Sequence, residues 1–243
     1  MLLALSGVLA NSPIATENQV RATVNRASIP SAPSQPTPIL VVGQVEGMDF
    51  SDWMLYVYAD GRVIRKRSFG YHLDYDLVQV SDRRLRGLVA VLDEARRATL
   101  KPSYAHLGMS DQPGLLFRLR PDKPRIFVAN FDFHDCKRGE MFAPAVLVRL
   151  CQEVGAIKRL VGGTPYHPDL AVTLVPSEAH PRAKPWPPTV PAPHLAGKTR
   201  VEQRYAGRYC SAFESWGPKH APQLVELDGT TWTLSYDPVM PGQ

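Results

Sequence analysis

Cysteine is scarce in this chain. There are three in 243 residues, Cys136, Cys151 and Cys210, and no two stand in a C-x-x-C spacing. The usual zinc and dithiol redox motifs are therefore excluded. Long apolar runs are also missing after the first residues. None approaches the roughly 18 consecutive apolar residues that a membrane-crossing helix needs. Neither a G-x-S-x-G elbow nor an S-x-x-K run is present, which removes the local signatures of serine hydrolases. Residues 192–199, APHLAGKT, end like a phosphate-binding loop. However, Ala192 stands in place of the first glycine, and Pro193 removes one of the backbone donors that would surround a phosphate. The preceding VPAP is no strand, so the strand–turn–helix context is lacking. Lys198 and Thr199 are read as the end of a solvated linker, and no cofactor is expected.

Proline, by contrast, is abundant: 23 residues, clustered rather than spread. Such clustering marks linkers. Residues 11–38 are rich in Ser, Thr, Pro and Asn and cannot bury enough apolar area to offset ordering. Ahead of them, Leu2 to Ala10 is a short apolar run ending in small residues. It resembles a secretory signal without the usual leading Lys or Arg. Residues 1–38 are thus expected to be a signal-like segment and flexible leader, and the chain to be exported. Export would favour a Cys136–Cys151 disulfide, because both fall in one predicted domain. In a cytosolic protein all three cysteines would be ordinary thiols.

Order is expected from Ile39 onward. ILVVGQV is a β-branched run, and WMLYVYADGRVIRKRSF reads as a hairpin turning at Asp60-Gly61. Leu85, Leu88, Val89, Leu92, Ala95 and Thr99 recur at helical spacing after a Ser81 or Asp82 cap. Gly114 to Arg120 and Arg125 to Phe133 read as two strands joined by Pro121-Asp122-Lys123-Pro124. Leu147, Leu150, Cys151, Val154, Ile157 and Val161 stripe a second helix that starts near Pro144. The pattern over 39–163 predicts an α+β domain: an antiparallel sheet of about five strands with two helices on one face, the other face meeting solvent. Residues 164–199 read as a proline-rich linker. Residues 200–243 read as a small β-rich unit, with a hairpin around Asp228-Gly229, that docks on the main domain. Its aromatics, Tyr205, Tyr209, Phe213, Trp216 and Trp232, are expected to pack that unit or to form a binding shelf.

Three arrangements carry chemistry. In YHLDYDL, His72 and Asp74 alternate with apolar residues, as do Asp132 and His134 in NFDFHDC. If the two strips were neighbours in the sheet, these four side chains could hold a metal. Cys136 beside His134 is no catalytic dyad, since such partners are neighbours in space rather than in sequence. The net charge is +5, and residues 53–160 hold 19 Lys/Arg against 12 Asp/Glu. Within that excess, Arg62, Arg65, Lys66 and Arg67 lie near Tyr56, Tyr58, Phe69 and Tyr71 and form a candidate anion-binding strip. Such a strip suits an acidic protein or another anionic envelope component; nucleic acid is the less favoured partner.

YVYADGRV, the Leu85/Leu88/Leu92 helix, Tyr104, Asp111, the two following strands and the Leu-rich final helix together resemble small domains of exported or lipid-anchored bacterial proteins. Emfourin-type metalloprotease inhibitors have a similar arrangement. The resemblance spans residues 50–162 and implies a compact exported domain, without assigning any inhibitory residue. The functional expectation is a noncatalytic exported binding or interaction module of the bacterial cell envelope. The alternatives are a metal-dependent enzyme using the His/Asp strips and a nucleic-acid-binding protein.

Overall fold

A computed structural model of the chain describes residues 36–46, 51–67, 73–105, 112–138, 140–180, 182–195, 198–214 and 223–242. Thirteen strands and three helices are found among them. The first part of the chain supplies β1 (Leu40–Val45), β2 (Ser51–Val57), β3 (Arg62–Lys66), β4 (Tyr75–Gln79), α1 (Asp82–Arg97), β5 (Ser103–Tyr104), β6 (Gly114–Arg118), β7 (Ile126–Ala129) and α2 (Ala145–Lys158). The second part supplies β8 (Thr164–Tyr166), β9 (Asp169–Pro176), β10 (Lys184–Pro185), β11 (Val201–Tyr205), α3 (Cys210–Glu214), β12 (Gln223–Leu227) and β13 (Thr230–Val239).

These strands make two sheets within one compact unit. The larger has eight strands in the order β5-β7-β6-β1-β2-β3-β4-β8; the smaller has five, in the order β10-β12-β13-β9-β11. Pairing is antiparallel except at the two short bridges, β5 with β7 and β10 with β12. Alternation along the central strands separates two cores. Leu40, Val42, Leu55, Val57, Val63 and Val78 point to one side and meet α1 and α2. Val41, Tyr56, Tyr58, Ile64 and Tyr75 point to the other and meet the smaller sheet. The molecule is therefore layered as helices, large sheet, small sheet.

Both helices pack on one face of the large sheet, as the stripes require. Leu88 of α1 and Leu150 of α2 are fully buried in the same core. Each such leucine contributes on the order of 2 kcal/mol of transfer free energy. The α2 stripe stops short of its expected end: the helix closes at Lys158, and Val161 projects wholly into solvent. β7 also ends early, because Asn130 takes a left-handed conformation at φ 60°.

The other face of the large sheet is not wet. The small sheet covers it, and both faces are buried, unlike the one-sided burial common in antiparallel sheets. Part of that cover comes from residues expected to be linker. β8 pairs with β4, while β9 pairs with both β13 and β11 at the heart of the small sheet. Leu170, Val172 and Leu174 of β9 are buried at 1% exposure or less. Within RYAGRYCSAF the backbone changes form. β11 ends at Tyr205, and a 3-10 turn then leads into α3. The hairpin at Asp228-Gly229 is as expected, with φ of 50° and 72° at the two turn residues, the signature of a tight two-residue β-hairpin. Tyr205, Phe213 and Tyr236 pack together, joined by Trp186 from the proline-rich stretch. Trp216 lies outside the described residues.

Candidate functional site

The central strands open onto a cavity of about 430 Å³ where the two sheets part. Val41, Asp52, Trp53, Tyr56, Tyr75 and Arg118 form its large-sheet wall. Asp237 and Pro238 of β13 close the opposite side, and Thr37, Pro38 and Gly242 stand at one end. Local features of β1 and β2 place these groups. A bulge between Val42 and Gly43 shifts the register, so that Gly43 pairs with Trp53 and Gln44 with Asp52. A Cβ on Gly43 would sit 3.0 Å from the Trp53 ring and 3.1 Å from the Asp52 carbonyl oxygen, so glycine lets the indole lie against the strand. Arg118, opposite Val41 on β6, and Arg125 place their guanidinium carbons 4.9 and 5.0 Å from the Trp53 ring. These contacts hold the indole by cation–π attraction.

The cavity is polar at its base. Lys66 of β3 donates a hydrogen bond from Nζ to Asp52 Oδ2, with both side chains almost wholly removed from solvent. Its ammonium also lies 5.9 Å from the centre of the Tyr75 ring. Tyr75 itself is 3% exposed, and its hydroxyl has no hydrogen-bond partner among the described residues. Burial pushes the Tyr75 and Tyr56 hydroxyls well above the usual phenol range, and the Asp52 charge reinforces the shift in both. Both phenols therefore remain protonated donors across the physiological range. Asp237 is exposed at the mouth. Among the lining groups Asp237 offsets Arg118, and the Asp52 carboxylate is paired with Lys66 buried beneath it, which leaves the lining close to neutral. It can bind by hydrogen bonding and aromatic contact.

The residues picked from sequence fall elsewhere or take other roles. Arg65 is on the helix face of β3, where Nε and Nη2 grip Asp76 in a fork at 2.6 and 2.9 Å. Nη1 also donates to the Lys158 carbonyl at 3.0 Å, and Nη2 to that of Gly162. Arg65 thus ties β3 and β4 to the C-terminal end of α2, whose carbonyls carry partial negative charge. Lys66 belongs to the cavity base. Only Arg62, paired with Asp60, and Arg67, near Asp74 and Asp76, reach solvent. The anion-binding strip is thus split by strand alternation: its two middle members are buried in ion pairs on opposite faces.

The proposed metal ligands do not converge. Asp74 precedes β4 and lies 3.7 Å from Arg67. Asp132 and His134 follow β7, and four strands separate β4 from β7 in the sheet. Asp132 instead accepts a hydrogen bond from the His134 backbone N–H at 2.6 Å. His72 lies outside the described residues. Among those residues, no three His, Cys, Asp or Glu side chains are grouped to hold a metal. Cys136 and Cys151 are joined in a disulfide, which links the loop after β7 to α2. Cys210 is a free buried thiol that donates to the Pro168 carbonyl, and burial pushes it up to about 12. After Lys198 and Thr199 the chain enters β11, a strand rather than the helix a phosphate loop requires.

Sequence reasoning missed the cavity. Its one legible sign was Asp52-Trp53-Met54-Leu55-Tyr56, in which aromatics share the interior with an aspartate. Comparison with family models, curated proteins and solved structures finds no match to the chain. No helix among the described residues is long and apolar enough to cross a membrane.

Proposed function

We propose that the chain is an exported, noncatalytic binding module of the bacterial cell envelope that takes a small uncharged polar ligand between its two sheets. The observation that carries this reading is the Tyr75 hydroxyl, which is buried with no hydrogen-bond partner among the described residues and belongs to a residue lining a cavity of about 430 Å³. An unmet buried donor costs about 1–3 kcal/mol, and a ligand acceptor recovers it when binding shifts aside the side chains that cover the hydroxyl. The volume falls within the usual range for small-molecule sites, which combine aromatic walls with a few fixed polar groups. Near-neutral lining favours ligands rich in hydroxyl or amide groups over ions. The Cys136–Cys151 disulfide supports export, because such bonds persist in oxidising compartments. The likeness to exported bacterial domains points the same way.

The test is thermal denaturation with neutral monosaccharides, N-acetylated sugars and small amides, for the wild-type protein and for Trp53→Ala. At least one compound is expected to raise the wild-type Tm in a concentration-dependent way and to lose that effect in the variant. A panel that leaves the wild-type Tm unmoved, or acts equally on both proteins, removes the reading.

A further inference from the structure

A second concavity lies at the opposite face of the β6–β7 hairpin, beside the end of α1, with a volume of about 230 Å³. Its floor is apolar: Ala95 of α1, Leu100, Leu119 and Ile126. Ala95, Leu119 and Ile126 are buried, and Leu100 packs on the helical core. Its rim is cationic. Arg96 is held in place by donating to the carbonyls of Leu119 and Ile39, at 2.9 and 2.7 Å. Lys101, Arg120 and Lys123 complete the rim, all exposed, while the Arg125 guanidinium turns away to the Trp53 ring; no carboxylate lines the cleft among the described residues. A neighbouring groove shares Arg96 and Arg120 and adds Arg97, but there Asp93 and Asp122 supply the opposite sign.

Clustered like charges repel, and an ordinary solvated surface intersperses both signs. Arg96 is paired with Asp93 at 3.3 Å, but none of Lys101, Arg120 and Lys123 pairs with an acid among the described residues, while greasy side chains lie directly beneath them. The combination has one natural complement: a ligand with an anionic head and an apolar tail. We propose that this cleft binds an anionic amphiphile, its head on the cationic rim and its chain on the Ala95/Leu100/Leu119/Ile126 floor. Such a ligand can arrive as a free monomer or as the headgroup region of an anionic bilayer. The cleft is distinct from the cavity between the sheets and does not depend on the reading given to that cavity.

Calorimetric titration at low ionic strength tests it, with decyl phosphate below its micellar concentration, inorganic phosphate, and vesicles of phosphatidylglycerol or phosphatidylcholine. Circular dichroism would verify that the protein stays folded. Decyl phosphate is expected to bind one to one and at least tenfold more tightly than inorganic phosphate, because only the former uses the floor. Lys101→Glu/Lys123→Glu, confined to the exposed rim, is expected to weaken it at least tenfold, whereas Tyr75→Phe leaves it unchanged. Binding to phosphatidylglycerol vesicles in addition identifies a bilayer source; binding of the monomer alone identifies a free ligand. The proposal is overturned if decyl phosphate does not bind, if inorganic phosphate binds equally well, or if the double charge reversal has no effect. Vesicle binding without monomer binding also overturns it, since that reflects diffuse surface charge rather than the cleft.

Discussion

Lys66 and Asp52 form an ion pair between the two sheets, with side-chain exposures of 0% and 1%. Neighbouring Arg65, one residue earlier, forms another with Asp76 on the opposite face, where side-chain exposures are 8% and 4%. Two successive basic residues on one strand thus serve two different interiors. Removing one partner of a buried pair leaves a charge in a low-dielectric site, at a cost of about 3–5 kcal/mol. Lys66→Met is therefore expected to lower unfolding free energy by that amount in urea denaturation. Lys66→Met with Asp52→Leu is expected to recover most of the loss, because the pair as a whole also carries a desolvation cost. A single variant within about 1 kcal/mol of wild type would mean that the pair is solvated rather than buried.

Tyr75→Phe separates stability from binding. The hydroxyl has no hydrogen-bond partner among the described residues, so its removal is expected to leave stability unchanged or raise it by about 1 kcal/mol. Any compound bound through that hydroxyl should lose roughly tenfold in affinity. A variant that loses stability instead would show that the hydroxyl is satisfied in the unliganded fold.

Lys158 gives a pH signature. Its ammonium is buried with no hydrogen-bond partner among the described residues, 5.7 Å from the Phe133 ring centre. Burial, aided by nearby Arg65, lowers its pKa to about 8 from 10.5. Between these values the unfolded chain holds a proton that the folded chain has released, so stability rises with pH across that window. Below the window the folded protein carries the full cost of the buried charge. Lys158→Met is expected to be more stable than wild type at pH 7, on the order of 2 kcal/mol, with the difference shrinking toward pH 10. Urea midpoints at pH 7 and pH 10 check it; a difference that stays constant with pH contradicts it.

The disulfide closes a loop of 15 residues between Cys136 and Cys151. Constraining the unfolded chain over that length is worth about 3 kcal/mol. Cys136→Ala/Cys151→Ala is expected to lose about that much in denaturation, with Cys210 left as the remaining thiol. A loss below about 1 kcal/mol would indicate native strain offsetting the link.

The helical layer was legible because an amphipathic stripe states its own buried face: Leu88, Leu92, Leu147 and Leu150 recur at helical spacing and all are buried in one core. The turns at Asp60-Gly61 and Asp228-Gly229 were legible for a similar local reason, since both glycines need positive φ; the second is the two-residue turn its dipeptide announces, whereas the first is a three-residue loop of Ala59, Asp60 and Gly61. The cover over the second face was not. Tyr56, Tyr58 and Tyr75 carry polar tips that suit a wet surface as well as a wet cavity, and alternation does not reveal what lies opposite. β9 was hidden by prolines at its flanks, although Leu170, Val172 and Leu174 alternate cleanly inside it. Lys66 and Arg65 looked solvent-facing because their acidic partners, 14 and 11 residues away, are brought near only by strand pairing. The metal strips failed for the same cause in reverse: their alternation was visible, whereas the order of strands between them was not.

The most direct test of the binding site is residue-resolved. Backbone amide resonances are to be followed by NMR while the same neutral sugars and amides are added at millimolar concentration. The account predicts saturable shifts clustered at Val41, Asp52, Trp53, Tyr56, Tyr75 and Asp237, which in Tyr75→Phe need roughly tenfold more ligand to reach half-saturation. Shifts that cluster on another surface, or none at all across the panel, would contradict it.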